Sequence, residues 1–280
     1  MPLLTTEEIV GDMIPRLDTG CGRRFVDGLL HLLGIDSVND GYDKAVAGTE
    51  GGPACAAALL KEFGASYTAH FEDGFTLPDG PFVTVSNHPY GGMDGIVLID
   101  LFGHLKPDYK VMVNRFLGRV KALGDNFITV VPAGNEKTAP QAASINGVRE
   151  TIKHVKEGHP VGFFPAGAVS NLYPFRGRIE DRPWQVSVLR LIRRLDVPVI
   201  PVHFHDRNSI LFYLLGILGW KVRTLRLPGE LLNKGRKTHR VSVGNPVSVD
   251  RQHACGSIEE YGQMLREAVY GLDQRSSARS

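Results

Sequence analysis

The chain has 280 residues, of which 42% are hydrophobic, 22% charged and 8% aromatic, with 32 glycines and 17 prolines. Such a composition supports one large α/β domain or two smaller ones, and excludes disordered, collagenous and coiled-coil chains. Thirty-two Lys and Arg face 30 Asp and Glu, a net charge of +2 that is too weak for a nucleic-acid groove, so no nucleic-acid partner is expected.

From the N-terminus, residues 6–67 read as helices broken by glycine: FVDGLLHLL, VNDGYDKAV and ACAAALLKEF each repeat apolar residues at three- and four-residue steps. Glu7 and Glu8 stand where an export signal has basic residues and then an apolar core. Cys21, Cys55 and Cys255 lack metal or redox spacing and read as thiols of a reducing compartment. From Pro81 the texture changes to β-branched runs alternating with helical stretches, the mark of strand–helix units around a parallel sheet. Strands are predicted at 82–86, 109–113, 127–131, 161–164, 197–204 and 238–244, and helices at 92–104, 115–123, 139–157, 184–195 and 257–272. The expected fold class is therefore α/β, a mainly parallel sheet flanked by helices. An N-terminal helical segment (1–75) precedes the α/β domain (76–273), and a flexible tail (274–280) follows it.

Chemistry concentrates in two stretches. In VTVSNHPYGGMDGIVLIDLF, residues 83–102, His88 ends a strand and a helix opens near Asp94, the place where open α/β sheets put their ligands. On one continuous helix the six-residue step would turn Asp94 away from His88 by about 240°. The Pro-Tyr-Gly-Gly insert lets the loop fold back, so that Asp94 can hold one ring nitrogen while the other meets a substrate. A loop histidine beside an N-cap aspartate explains the same residues equally well. The second stretch, GFFPAGAVS at 162–170, runs a strand into a small-residue turn at Gly167 that can offer backbone N–H groups to an oxyanion. As an isolated segment it reads first as ordinary turn chemistry.

Taken with VPVIPVHF at 197–204, these stretches make the chain resemble the lysophospholipid acyltransferase superfamily, of the 1-acylglycerol-3-phosphate acyltransferase type. That superfamily has Asn-His, four residues and Asp as its first motif, Phe-Pro-Glu-Gly-Thr-Arg-Ser as its third, and a Val-Pro-Ile-Val-Pro-Val strand as its fourth. The likeness runs from Phe82 to Pro246. NHPYGGMDG with five intervening residues, FPAGAVS, GRIEDRPW around Trp184 and IPVHFHDRNSILFY are similar to the hemolysin-like branch, which includes lyso-aminolipid O-acyltransferases. The resemblance implies transfer of a fatty acyl group from an acyl carrier protein or coenzyme A thioester to a lyso-lipid hydroxyl. His88 would be the general base and Asp94 its orienting carboxylate. Backbone N–H groups at Gly91, Gly92 or Gly167 would face the oxyanion, and Asn87, Arg115, Pro165, Ala166, Ser170 and Arg178 would contact substrate. No serine or cysteine nucleophile and no cofactor is implied, and Ser86 has a strand role only.

The departures from the family pattern bear on the acceptor. Where phosphatidic-acid-forming enzymes carry Arg, Glu and Arg, this chain has Val130, Ala166 and Val169. A phosphate dianion without charge-assisted partners is bound poorly. A lyso-aminolipid of glycine- or ornithine-lipid type is therefore the expected acceptor, its carboxylate met by Arg115 or Arg178. The alternatives are a lysophosphatidic acid acyltransferase and a non-catalytic lipid-binding member of the fold. His203 and His205 share a strand face and could begin a metal site, but a third ligand would have to be His88 or another distant histidine, so no metal is expected. The run Ile210 to Trp220 is too short to span a bilayer as a helix. It reads either as a buried helix or as an interfacial surface, with Lys221 and Arg223 beside it for anionic head groups. The expected location is peripheral, on the cytoplasmic face of the inner membrane.

Overall fold

Parallel strands covered by helices are buried on both faces. In the computed structural model, which describes residues 5–7, 10, 18–114, 117–130, 142–236 and 238–277, the strands β2 (Val83–Ser86), β5 (Val161–Phe163) and β8 (Val199–Phe204) are buried along their whole lengths. With β3 (Lys110–Asn114) and β4 (Phe127–Val130) they form a five-stranded parallel unit in the order β8-β2-β5-β3-β4. Beyond β8 the sheet continues through β9 (Thr238–Val243), antiparallel to β8, and ends on β1 (Ser66–Phe71), parallel to β9. The fold is thus α/β with a mostly parallel seven-stranded sheet between helices.

One face of the sheet packs against α2 (Ile35–Ala47), α3 (Gly52–Glu62) and α4 (Gly92–Gly103), with Leu59, Val97, Leu98 and Phe102 set against Phe82, Val111 and Val202. α1 (Gly20–Leu32) precedes them, started by Thr19, whose hydroxyl accepts from the Gly22 N–H. The other face carries α5 (Ala142–Lys156), α6 (Val186–Leu195) and the long α11 (Ile258–Ser277), whose Tyr261, Leu265 and Val269 meet Val83, Val85 and Val199. Alternation along β8 sends Ile200, Val202 and Phe204 to the first face and His203 and His205 to the second.

Three differences from the sequence-based expectation have physical reasons. SYTAHF, at the end of the stretch read as helical, is β1; its alternate residues are half-buried and its backbone pairs with β9 from 172 positions away, carrying the N-terminal segment into the sheet. In place of a helix over 115–123, short 3₁₀ turns occupy Leu117–Arg119 and Lys121–Asn126, each containing a glycine, Gly118 or Gly124, that weakens α-helix formation. Residues 274–277, expected in the flexible tail, continue α11. Between β5 and α6 the chain also forms a hairpin, β6 (Asn171–Tyr173) and β7 (Arg178–Glu180). After β8 come α7 (Ile210–Leu218), α8 (Trp220–Leu225) and α9 (Leu227–Leu232), and α10 (Val249–His253) leads to α11.

Candidate functional site

β2 ends at Ser86 and α4 begins at Gly92, so Asn87 to Gly91 must leave the sheet and turn within five residues. Asn87 starts the turn by acting as one more strand residue: its Nδ2 donates to the Phe204 carbonyl at 2.9 Å and its Oδ1 accepts from the Phe204 N–H at 2.8 Å. Both ends of the amide are engaged with β8, so Asn87 clamps the loop and is not the substrate contact that the resemblance implied. Gly91 then takes φ +92°, a conformation that costs a Cβ-bearing residue, and the chain folds back. Asp94, fully buried in the first turn of α4, accepts from the Tyr90 and Gly91 N–H groups, each at 3.0 Å. The same carboxylate oxygen lies 2.8 Å from His88 Nδ1. The ring N–H does not aim along that line, so Nδ1 and Asp94 Oδ1 complete no hydrogen bond, and a small ring rotation would close the pair. Phe164 packs on the imidazole with ring centroids 4.2 Å apart.

A second carboxylate holds this loop from behind. Asp181, 2% exposed, accepts at Oδ1 from the His88 N–H at 3.1 Å and from Ser170 Oγ at 2.6 Å, and at Oδ2 from Trp184 Nε1 at 3.4 Å. Burial pushes its carboxyl above the usual range, against the opposing pull of the Ser170 and His88 hydrogen bonds. The Ser170 N–H donates to the His88 carbonyl at 2.9 Å, which joins the His88 loop to the turn after β5. The buried Arg223 secures that turn, donating to the carbonyls of Val169 at 3.0 Å and Ser170 at 3.1 Å and to Asn171 Oδ1 at 2.5 Å. Arg223 is therefore no head-group ligand at the surface; desolvation lowers its pKa, and its donors are bound inside the protein. Tyr213 and Asn208 donate to the carbonyls of Pro89 and Tyr90, both at 3.3 Å, completing the cradle.

Two cavities flank the loop. An apolar one of about 120 Å³ is lined by His88, Gly92, Gly167, Met112, Phe127 and Phe163. A polar one of about 850 Å³ lies toward α11, with Asn87, Pro89 and Ser170 in the wall it shares with the loop and Arg178, Arg207 and Arg266 opposite. Val130 lines the apolar cavity.

The structure thus brings His88, Asp94, Gly91, Gly92 and Gly167 together, but it divides the expected oxyanion donors. The Gly167 N–H is committed to the Phe164 carbonyl at 2.9 Å and the Gly91 N–H to Asp94. Gly92, the first residue of α4, has no carbonyl one turn earlier to bond, and its N–H is the donor that remains. Pro165 and Ala166 face inward rather than lining either cavity, their carbonyls accepting from Gln185 N at 2.9 Å and Gln185 Nε2 at 3.4 Å. Ser170 uses its hydroxyl on Asp181, and Arg178 lines the polar cavity, away from His88. Arg115 lies outside the described residues, as does the side chain of Lys221.

His203 and His205 meet Asp273 of α11, not His88 or another histidine. Burial and the neighbouring His205 push the His203 imidazole down to about 4, so it is neutral near pH 7. Asp181 and Asp273 were not assigned site roles from the sequence. Asp181 had a signal in its place three residues before Trp184, whereas Asp273 had none.

A family model described as Acyltransferase matches residues 53–278. The lyso-glycine lipid O-acyltransferase of Phocaeicola vulgatus is 28% identical over 208 residues, covering 70% of this chain and 70% of the relative. The lyso-glycine lipid O-acyltransferase of Bacteroides thetaiotaomicron is 28% identical over 201 residues, covering 69% of this chain and 71% of the relative. Among solved structures, the 1-acyl-sn-glycerophosphate acyltransferase PlsC from Thermotoga maritima aligns with a TM-score of 0.47 at 17% identity, over 79% of this chain and 81% of that one.

Proposed function

The chain belongs to this acyltransferase family and is an acyl-transfer enzyme, and from that premise we propose that it moves a fatty acyl group from an acyl thioester to the hydroxyl of a lyso-aminolipid. The observation that carries the reading is the His88–Asp94 pair, with His88 lining an apolar cavity. With Nδ1 protonated toward Asp94, His88 Nε2 takes the proton of the acceptor hydroxyl as its oxygen attacks the thioester carbonyl. Asp94 stabilises the imidazolium that forms, while the Gly92 N–H faces the developing oxyanion. Collapse breaks the C–S bond, and the imidazolium returns its proton to the leaving thiolate. The products are an ester and a free thiol, and no covalent enzyme intermediate is required. The apolar cavity takes the acyl chain next to the thioester, and the donor is an acyl carrier protein or coenzyme A thioester.

Two features support the lyso-aminolipid acceptor. Val130 and Ala166 stand where a phosphate-binding enzyme would need charge, and Val169 approaches Gly91 closely enough that a Cβ there would lie 3.3 Å from its Cγ2. The two curated relatives bear the name lyso-glycine lipid O-acyltransferase. A peripheral membrane location is supported by α7 and α8: no helix among the described residues is long and apolar enough to cross a membrane, yet Ile210, Leu211, Leu214, Ile217, Leu218 and Val222 are exposed. Phe212 and Tyr213 anchor the same helix in the protein, so its outer face is free to lie in the interface of the cytoplasmic leaflet. The test is turnover of N-(3-hydroxyacyl)glycine, its ornithine counterpart and lysophosphatidic acid with a labelled acyl thioester. Faster turnover of an aminolipid is expected; faster turnover of lysophosphatidic acid would refute the acceptor assignment.

A further inference from the structure

The polar cavity behind the His88 loop contains a cluster that acyl transfer does not use. His203 and His205, on the α11 face of β8, converge with Asp273 from the last turns of α11, and one ligand atom from each lies within 4.8 Å of the others. His205 Nδ1 is 2.9 Å from Asp273 Oδ1, and His203 Nε2 is 4.0 Å from the same oxygen. In a tetrahedral site with metal–nitrogen bonds of about 2.0–2.1 Å, ligand atoms sit about 3.3 Å apart, a value these two distances bracket. A modest swing of the Asp273 side chain, which is 56% exposed, would equalise them.

Two further observations separate this cluster from a chance meeting of polar side chains. First, the His203 side chain is 6% exposed and its ring centroid lies 4.8 Å from that of His205, so two imidazoles are packed together beside the Asp273 carboxylate. Second, the outer nitrogen of His205, Nε2, is 2.7 Å from Ser242 Oγ on β9, the hydrogen bond by which metal-binding histidines fix their tautomer. His203 lies on β8 and His205 directly after it, its N–H donating to the Arg240 carbonyl, and the carboxylate comes from an element 68 positions later in the chain.

We infer that His203, His205 and Asp273 form a binding site for a divalent transition-metal cation of the zinc class. Two imidazoles and one carboxylate suit zinc, cobalt, nickel or iron(II), and disfavour magnesium and calcium, which prefer all-oxygen shells. Three protein ligands leave a fourth position open toward the 850 Å³ cavity, where water or an anionic oxygen would complete the shell. The cation would tie α11 to β8 next to Phe204, the residue to which Asn87 anchors the catalytic loop.

Untagged protein, stripped with a chelator and titrated with Co²⁺ at pH 7.5, tests the site through visible ligand-field absorption and thermal melting. One saturable equivalent is expected, displaced by Zn²⁺, with a melting-temperature rise of about 5 °C at a hundredfold excess over Kd. Asp273→Asn changes an exposed position and should weaken binding at least tenfold, as should His205→Gln; His253→Gln, at an exposed histidine elsewhere, should bind as the unmodified protein does. Failure of the stripped protein to take up cobalt would overturn the inference. So would cobalt binding that survives Asp273→Asn and His205→Gln or disappears with His253→Gln.

Discussion

Replacing Asp181 by alanine removes the acceptor that His88 N–H, Ser170 Oγ and Trp184 Nε1 share. The two shorter bonds, at 3.1 and 2.6 Å, go to a buried carboxylate, and hydrogen bonds to charged groups contribute about 1.5–3 kcal/mol each. The 3.4 Å bond from Trp184 adds little. A loss of about 3–6 kcal/mol follows, lowering the melting temperature by about 5–10 °C. Because the His88 backbone is released, turnover should fall about a hundredfold, the usual consequence of misplacing a catalytic group by an ångström. Asp181→Asn separates the causes. Its carbonyl can take the place of Oδ1 and keep both short bonds, while its NH₂ opposes only the Trp184 donor, so melting should shift by no more than a few degrees. The pH dependence has a definite sign. Burial raises the Asp181 carboxyl, so in the carboxylate range the folded state holds a proton that the unfolded chain has released. That contribution favours folding at low pH and is lost as pH rises through the raised value, so Asp181→Asn should gain stability relative to the unmodified protein as pH rises. Circular-dichroism melts from pH 4 to 8 and initial rates of acyl transfer measure all three effects. An Asp181→Ala protein that melts within 2 °C of the original, or an Asp181→Asn protein as damaged as the alanine variant, would refute the reasoning.

His88→Ala should cost about 10²–10⁴ in kcat with little change in melting, since the side chain sits in a loop and supplies proton transfer; Asp94→Asn should also lose turnover at least tenfold, because an amide can hold the Tyr90 and Gly91 N–H groups without stabilising an imidazolium. Rates near those of the unmodified protein in folded His88→Ala would leave only a binding role. Gly167→Ala should destabilise by about 1–2 kcal/mol, because φ there is +64°, and the end of the Gln185 side chain must swing aside for a Cβ; urea unfolding measures it, and an unchanged midpoint would contradict the turn geometry. Ile217→Asp with Leu218→Asp should reduce flotation with anionic vesicles severalfold while leaving the melting temperature unchanged, since both side chains are exposed. Equal flotation would remove α7 as the membrane surface.

What could be read along the chain was whatever depends on neighbours within a few residues. The burial of VTVS, VGF and VIPVHF is written in β-branched and apolar residues, and α4, α6 and α11 in their helical spacing. The His88–Asp94 pair belongs with them, since a Pro-Tyr-Gly-Gly insert can fold back only locally and the helix start places the carboxylate. Ile210 to Trp220 was only half readable: its apolar character was plain, but which residues face outward depends on Phe212 and Tyr213 finding the protein. The remaining decisions needed the sheet. Asp181 reaches the His88 N–H across 93 positions, and Asp273 reaches His205 across 68. Only the packing of α11 on β8 replaces the missing third histidine with a carboxylate. Arg223 looked like a surface cation because sequence shows charge and not the carbonyls of Val169 and Ser170 that bury it. The oxyanion donors show the same limit in the backbone. Glycine reveals where a chain can turn tightly, but whether its N–H remains free depends on the carbonyl that the turn brings opposite: Phe164 for Gly167, and for Gly92 no carbonyl of its own helix.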